Sequence, residues 1–102
     1  MIYVKYNPRE VRLQLRGHAE QAPSGQDIVC AGVSALYGTL SLHPLVREHM
    51  EHDWRVLTAV PGAQGVMKPM FDMIASGINN IAQQYSANVT DIPHTDTHVK
   101  RM

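Results

Sequence analysis

Cys30 and His18 are the residues of this 102-residue chain whose types and spacing suit covalent acyl chemistry. Asp27 reads as the N-cap of a helix, which makes Ile28, Val29 and Cys30 its first three positions. Free N–H groups and the positive end of the helix dipole favour an anion there, so a thiolate at Cys30 is stabilised relative to the thiol. The Asp27 carboxylate would accept hydrogen bonds from the N–H of Val29 or Cys30, while its charge opposes a thiolate. Its first role is therefore structural. Ser34 follows one helical turn after Cys30 and lines the same face. A thiolate alone transfers acyl groups poorly, because the departing amine needs a proton, and a histidine serves as both base and donor. His18 is the candidate, and the helix N–H groups, that of Cys30 among them, are candidate oxyanion donors.

These residues also carry a plainer reading. A lone cysteine after Ile28-Val29 in an apolar helix reads first as a small buried hydrophobe, and His18 alone as a surface histidine on a strand.

The elements that must hold the pair are legible as periodicities. Ile2, Val4 and Tyr6 alternate with Tyr3 and Lys5 before an Asn7-Pro8 turn. Val11, Leu13 and Leu15 then alternate with Arg12, Gln14 and Arg16, so two half-buried strands form a hairpin. The second runs into Gly17-His18-Ala19, which puts His18 at a strand end near water, on the face of Arg12, Gln14 and Arg16. Glu20 to Gln26, with Pro23, Ser24 and Gly25, is a mobile loop expected to order on substrate. From Ile28 to about Leu42, Val29, Val33, Leu36, Tyr37 and Leu40 give a central helix, and Pro44 stops it, with a short extra turn through His52.

Trp54, Val56 and Thr58 suggest a third strand, Trp54 as its core anchor, and Val66 to Lys68 a short fourth. Pro69 suits the start of a second helix with Met70, Ile74, Gly77, Ile78, Ile81 and Tyr85 on its apolar face. Met67, Met70 and Met73 fill core or a dimer interface. Val89 begins a last edge strand before a polar, loosely ordered tail over about 90–102. The order β-β-α-β-β-α, with a final β, implies an α+β two-layer sandwich with a mostly antiparallel sheet, as a single domain over residues 1–102.

Composition narrows the function. Apolar residues are 44% and charged ones 18%, as in folded globular chains, and Lys plus Arg equal Asp plus Glu at 9 each, which disfavours nucleic acid as the main ligand. One cysteine excludes an intramolecular disulfide, and no apolar run is long enough to span a membrane, so a cytoplasmic protein is expected. His43, His49 and His52 lie among Glu48, Glu51 and Asp53, with His49 and His52 on one face if the segment is helical. No His-Glu-x-x-His pattern appears, and no metal or cofactor is expected.

Gly17-His18-Ala19, the twelve-residue step to Cys30, and the run Asp27-Ile28-Val29-Cys30-Ala31-Gly32-Val33-Ser34-Ala35-Leu36 resemble the signature of the ribosomal-processing cysteine protease (Prp) family. The resemblance implies a small α+β cytoplasmic endopeptidase, commonly a homodimer, with a His-Cys dyad. It maps His18 to the catalytic histidine, Cys30 to the nucleophile, and Asp27 and Ser34 to supporting positions, with Gly17 and Ala19 against substrate. The family's task is removal of a short N-terminal extension from a ribosomal protein, and phage structural proteins present similar motifs. Pro23 and Ser24 depart from the family's usual Gly, Tyr and acidic loop, and the His-rich tail from its usual ending. The partner implied is thus a peptide segment of a ribosomal or phage protein, without membrane or direct nucleic-acid contact. A catalytically silent ribosome- or capsid-associated adaptor of the same fold is the alternative.

Overall fold

The computed structural model describes residues 2–17, 26–84 and 89–91. Strands β1 (Ile2–Asn7), β2 (Arg12–Gly17), β3 (Val46–Glu51), β4 (Trp54–Ala59) and β5 (Val89–Asp91) form one sheet in the order β3-β4-β2-β1-β5. Every pairing is antiparallel except that of β1 with the short β5. Helices α1 (Gln26–Ser41) and α2 (Gln64–Gln84) provide the second layer, so the expected α+β architecture and element order hold.

Alternation decides which face the helices cover. Ile2, Val4, Tyr6, Leu13 and Leu15 turn inward and are buried, while Tyr3, Lys5, Arg12, Gln14 and Arg16 occupy the opposite face. Val29, Val33, Tyr37 and Leu40 of α1 close over them, as their spacing predicts, with Leu36 partly buried beside them. Phe71 and Leu13 are both fully enclosed, and each such side chain contributes about 1.5–3 kcal/mol by leaving water. The two helices approach closely where side chains are missing: a Cβ on Gly32 would stand 3.2 Å from Ile81 Cδ1, and one on Gly77 3.1 Å from Leu36 Cδ1.

The first hairpin is closed by Asn7, which is buried and whose Oδ1 accepts from the N–H of Arg9 at 3.0 Å and of Glu10 at 3.1 Å. Val11 holds φ 55 in the same turn, a strained setting for a β-branched residue that its burial against the core offsets.

Four expectations need correction. The segment after Pro44 is no helical turn: Val46–Glu51 is β3, joined to β4 by the two-residue turn His52-Asp53, with His52 at φ 59. Its side chains are mostly exposed because it is an edge strand, so the apolar alternation that marks a buried strand is missing. His49 and His52 accordingly share no helical face. Next, Val66 to Lys68 is not a strand. It lies in α2, which begins at Gln64 after Ala63, whose carbonyl accepts from the Met67 N–H at 3.0 Å. Pro69 therefore stands inside the helix, where its missing N–H withholds the helical bond from the carbonyl of Gly65, an exposed residue. The buried stripe is also turned from the expected one, running through Met67, Phe71, Ala75, Ile78 and Ala82. Met70 and Met73 are exposed, because the closest fit to the sheet is made by the side of α2 that carries Phe71. Finally, Trp54 is no core anchor. It pairs with Glu51 across β3 and lies on the outer face between the Lys5 ammonium and the Arg16 guanidinium, each 4.7 Å from its ring.

Candidate active site

Cys30 sits on α1, partly buried, with Val29 and Val33 beside it turned into the core. This part of α1 spans the inner face of the sheet where β1 begins, β2 ends, and the β3–β4 hairpin turns. A cleft of about 280 Å³ opens there. Cys30 and Ser34 line it from α1, the latter exposed and one turn on as its spacing predicts. Ile2, Leu15 and Val33 give it an apolar floor, and Gly17 lines it at the end of β2. Gly17 has φ 85, a conformation that glycine adopts without a Cβ clash, and with it β2 ends.

The opposite wall was not legible in the sequence. Met50 and Arg55, a directly opposed pair of β3 and β4, and Asp53 of the turn between them all line the cleft. The available signals were the alternation of Arg47, His49 and Glu51 against Val46, Glu48 and Met50, and the short His52-Asp53 link. Arg55 is tied to α1 through Glu48: the Tyr37 hydroxyl donates to Glu48 Oε2 at 2.7 Å, and Arg55 Nε donates to the same oxygen at 3.2 Å. The Arg55 guanidinium also lies 4.9 Å from the Tyr37 ring centre. Burial, the bond to Glu48 and that carboxylate's charge push the Tyr37 hydroxyl well above the usual tyrosine range, and Arg55 opposes them. The cluster therefore fastens the helix bearing Cys30 to the hairpin that faces it.

On the outer face Arg12 bonds Glu51, and His49 Nε2 lies 2.9 Å from Glu51 Oε2. These two bonds hold the Glu51 carboxyl below its usual range, His49 contributing most. Among the described residues no three His, Cys, Asp or Glu side chains gather as metal ligands would.

The expected site is thus partly in view. Gly17, Cys30 and Ser34 meet at one cleft. His18, Ala19 and the loop residues from Glu20 to Gly25 lie outside the described residues, as does the tail beyond Asp91. Asp27 is not the N-cap: α1 begins at Gln26, so Asp27 stands second in the helix. Cys30 becomes the fifth helical residue, past the open N–H groups, and its own N–H is no longer an expected oxyanion donor. The sequence set the helix start at the strongest capping residue, whereas the helix extends one residue further toward its N-terminus than Asp27.

Among solved structures, the essential ribosomal processing protease Prp from S. aureus in complex with a substrate peptide matches 90% of this chain and 98% of its own, at 20% identity and a TM-score of 0.70. The same protease with a covalently linked product peptide matches over 88% and 94% at 20% identity and a TM-score of 0.63. SMU.848 from Streptococcus mutans matches over 88% and 89% at 22% identity and a TM-score of 0.64. These likenesses establish a common fold. No curated protein matches the sequence. No helix among the described residues is long and apolar enough to cross a membrane. The sequence profile of the family described as cysteine protease Prp matches residues 1–90, nearly the whole sheet and both helices, and the chain therefore belongs to that family of cysteine proteases.

Proposed function

We propose that this protein is an endopeptidase that removes a short N-terminal extension from a ribosomal protein, or a comparable segment from a phage structural protein. The observation that carries the reading is the position of Cys30, on the wall of a cleft that also receives the end of β2 leading to His18. The S. aureus relative, a ribosomal processing protease held with a substrate peptide, supports the substrate class.

In this reading the Cys30 thiolate attacks the scissile carbonyl carbon with His18 holding the thiol proton. The C–N bond breaks, and His18 passes that proton to the departing amine. A thioester remains on Cys30. Water, deprotonated by His18, then attacks it, releasing the new carboxyl end and restoring the thiol. Asp27 steadies the helix start, Ser34 polarises the cleft beside the sulfur, and Gly17 and Ala19 offer backbone to the extended peptide. The protein acts in the cytoplasm as a homodimer, without a cofactor or metal.

The test is Cys30→Ala, assayed on peptides taken from N-terminal extensions of ribosomal proteins. The substitution removes the nucleophile but little volume, so cleavage is abolished while the variant stays folded and binds peptide. His18→Ala lowers kcat by orders of magnitude. A Cys30→Ala variant that still cleaves refutes the mechanism, and a monomer by analytical ultracentrifugation at assay concentration refutes the homodimer.

A further inference from the structure

Acyl transfer at Cys30 makes no use of Arg55, although its side chain lines the same cleft. Arg55 is held by one edge. Its Nε is spent on Glu48 Oε2 at 3.2 Å and its Cζ lies 4.9 Å from the Tyr37 ring centre, while Tyr37 donates to that same Glu48 oxygen at 2.7 Å. Tyr37 is itself buried on the helix that bears the nucleophile, so the guanidinium is placed relative to Cys30 by the fold and does not swing freely. Beyond Glu48 and Tyr37 its guanidinium has no partner among the described residues. Asp53, the carboxylate on the same wall, lies 3.7 Å from Arg16 on the neighbouring strand. A guanidinium fixed at one edge and open at the other is preorganised for an oxygen acceptor, and it loses little rotamer freedom on binding one.

We propose that Arg55 is a specificity-determining residue: its open edge takes an acidic side chain of the bound peptide, giving one substrate position a preference for Glu over Lys. Met50, directly across from it in the sheet and exposed, supplies apolar contact for the stem of that side chain. The inference rests on the reading of this cleft as the peptide site. Because the Arg55 side chain is 53% exposed, solvent screens the pair, and the preference amounts to about fivefold in kcat/KM, far below that of a buried ion pair.

The experiment uses the full chain and sets of short peptides built on a cleaved ribosomal extension, with one position at a time fixed as Glu, Gln, Ala or Lys and cleavage read by mass spectrometry. Expected is one position where Glu exceeds Lys about fivefold, with Gln between them. In Arg55→Met that preference falls within about twofold, the Ala set is still cleaved, and alkylation of Cys30 by iodoacetamide, which needs no peptide, keeps its rate. Arg55→Lys, which keeps charge but loses the stacked fork, retains the sign of the preference. Equal cleavage of the Glu and Lys sets at every position overturns the assignment, as does a preference that survives in Arg55→Met. A uniform loss across all sets with slowed alkylation also overturns it, since that marks a residue serving only the fold. Failure of the wild-type chain to cleave any set, or cleavage by Cys30→Ala, overturns the reading of the cleft and this inference with it.

Discussion

Replacing Tyr37 by Phe tests whether a single hydroxyl fastens α1 to the edge of the sheet. The ring remains to fill its buried site and to face Arg55, so packing is nearly conserved and the change isolates the bond to Glu48. Bonds to charged groups are worth about 1.5–3 kcal/mol, but the Glu48 side chain is 38% exposed and keeps Arg55, so water and the guanidinium absorb part of the loss. A destabilisation of about 1 kcal/mol at pH 7 follows, or about 4–8 °C in Tm for a domain of this size. The pH dependence carries the sharper test. With its folded-state pKa raised, Tyr37 stays neutral in the native protein and ionises only on unfolding. Its contribution is therefore fully present below the unfolded value of about 10 and is lost as pH rises above it, by about 1.4 kcal/mol at pH 11. Phe cannot ionise, and every other group is common to both proteins. Urea unfolding at pH 7, 9, 10 and 11 should show the wild-type advantage steady up to pH 9 and gone near pH 11. An advantage that stays constant to pH 11 would refute the reasoning, because the hydroxyl would then be no more protected in the folded state than in the unfolded one.

Other outcomes follow from single residues. Gly17→Ala forces a Cβ into φ 85 at the cleft, costing about 1–2 kcal/mol by chemical denaturation and lowering kcat/KM for peptide cleavage. Phe71→Ala empties a fully enclosed site between α2 and the sheet and costs about 3–5 kcal/mol, read as a lower urea midpoint by circular dichroism. Glu51→Gln removes a carboxylate whose folded-state pKa is lowered by His49 and Arg12. That stabilisation is present above the unfolded value of a glutamate and fades as pH falls through the folded one, so the variant should show a flatter acid limb in Tm against pH.

Much of this molecule is written in local pattern. Period-two alternation of Ile2, Val4 and Tyr6, then of Val11, Leu13 and Leu15, specified β1, β2 and the face they bury, because a strand with one wet side leaves no other register open. Val29, Val33, Tyr37 and Leu40 likewise fixed the face of α1, and the run around Cys30 pointed to the family and to cysteine chemistry. The sequence did not carry the decisions made between elements. Edge strand β3 exposes charged side chains on both faces and has no buried stripe, so its pairing with β4 exists only in the assembled sheet. The turn of α2 was settled by which side best meets the sheet, Met67 and Phe71 winning over Met70 and Met73 although all are apolar. Trp54 falls on the outer face because Leu57 and Ala59 of the same strand turn inward, and there it meets the cations of Lys5 and Arg16. The far wall of the cleft follows the same rule: Met50, Asp53 and Arg55 are local neighbours, but they face Cys30 only because α1 is bound across the sheet through Tyr37, Glu48 and the core beneath. Periodicity reports which side of an element is dry, whereas what stands opposite it depends on contacts between residues far apart in the chain.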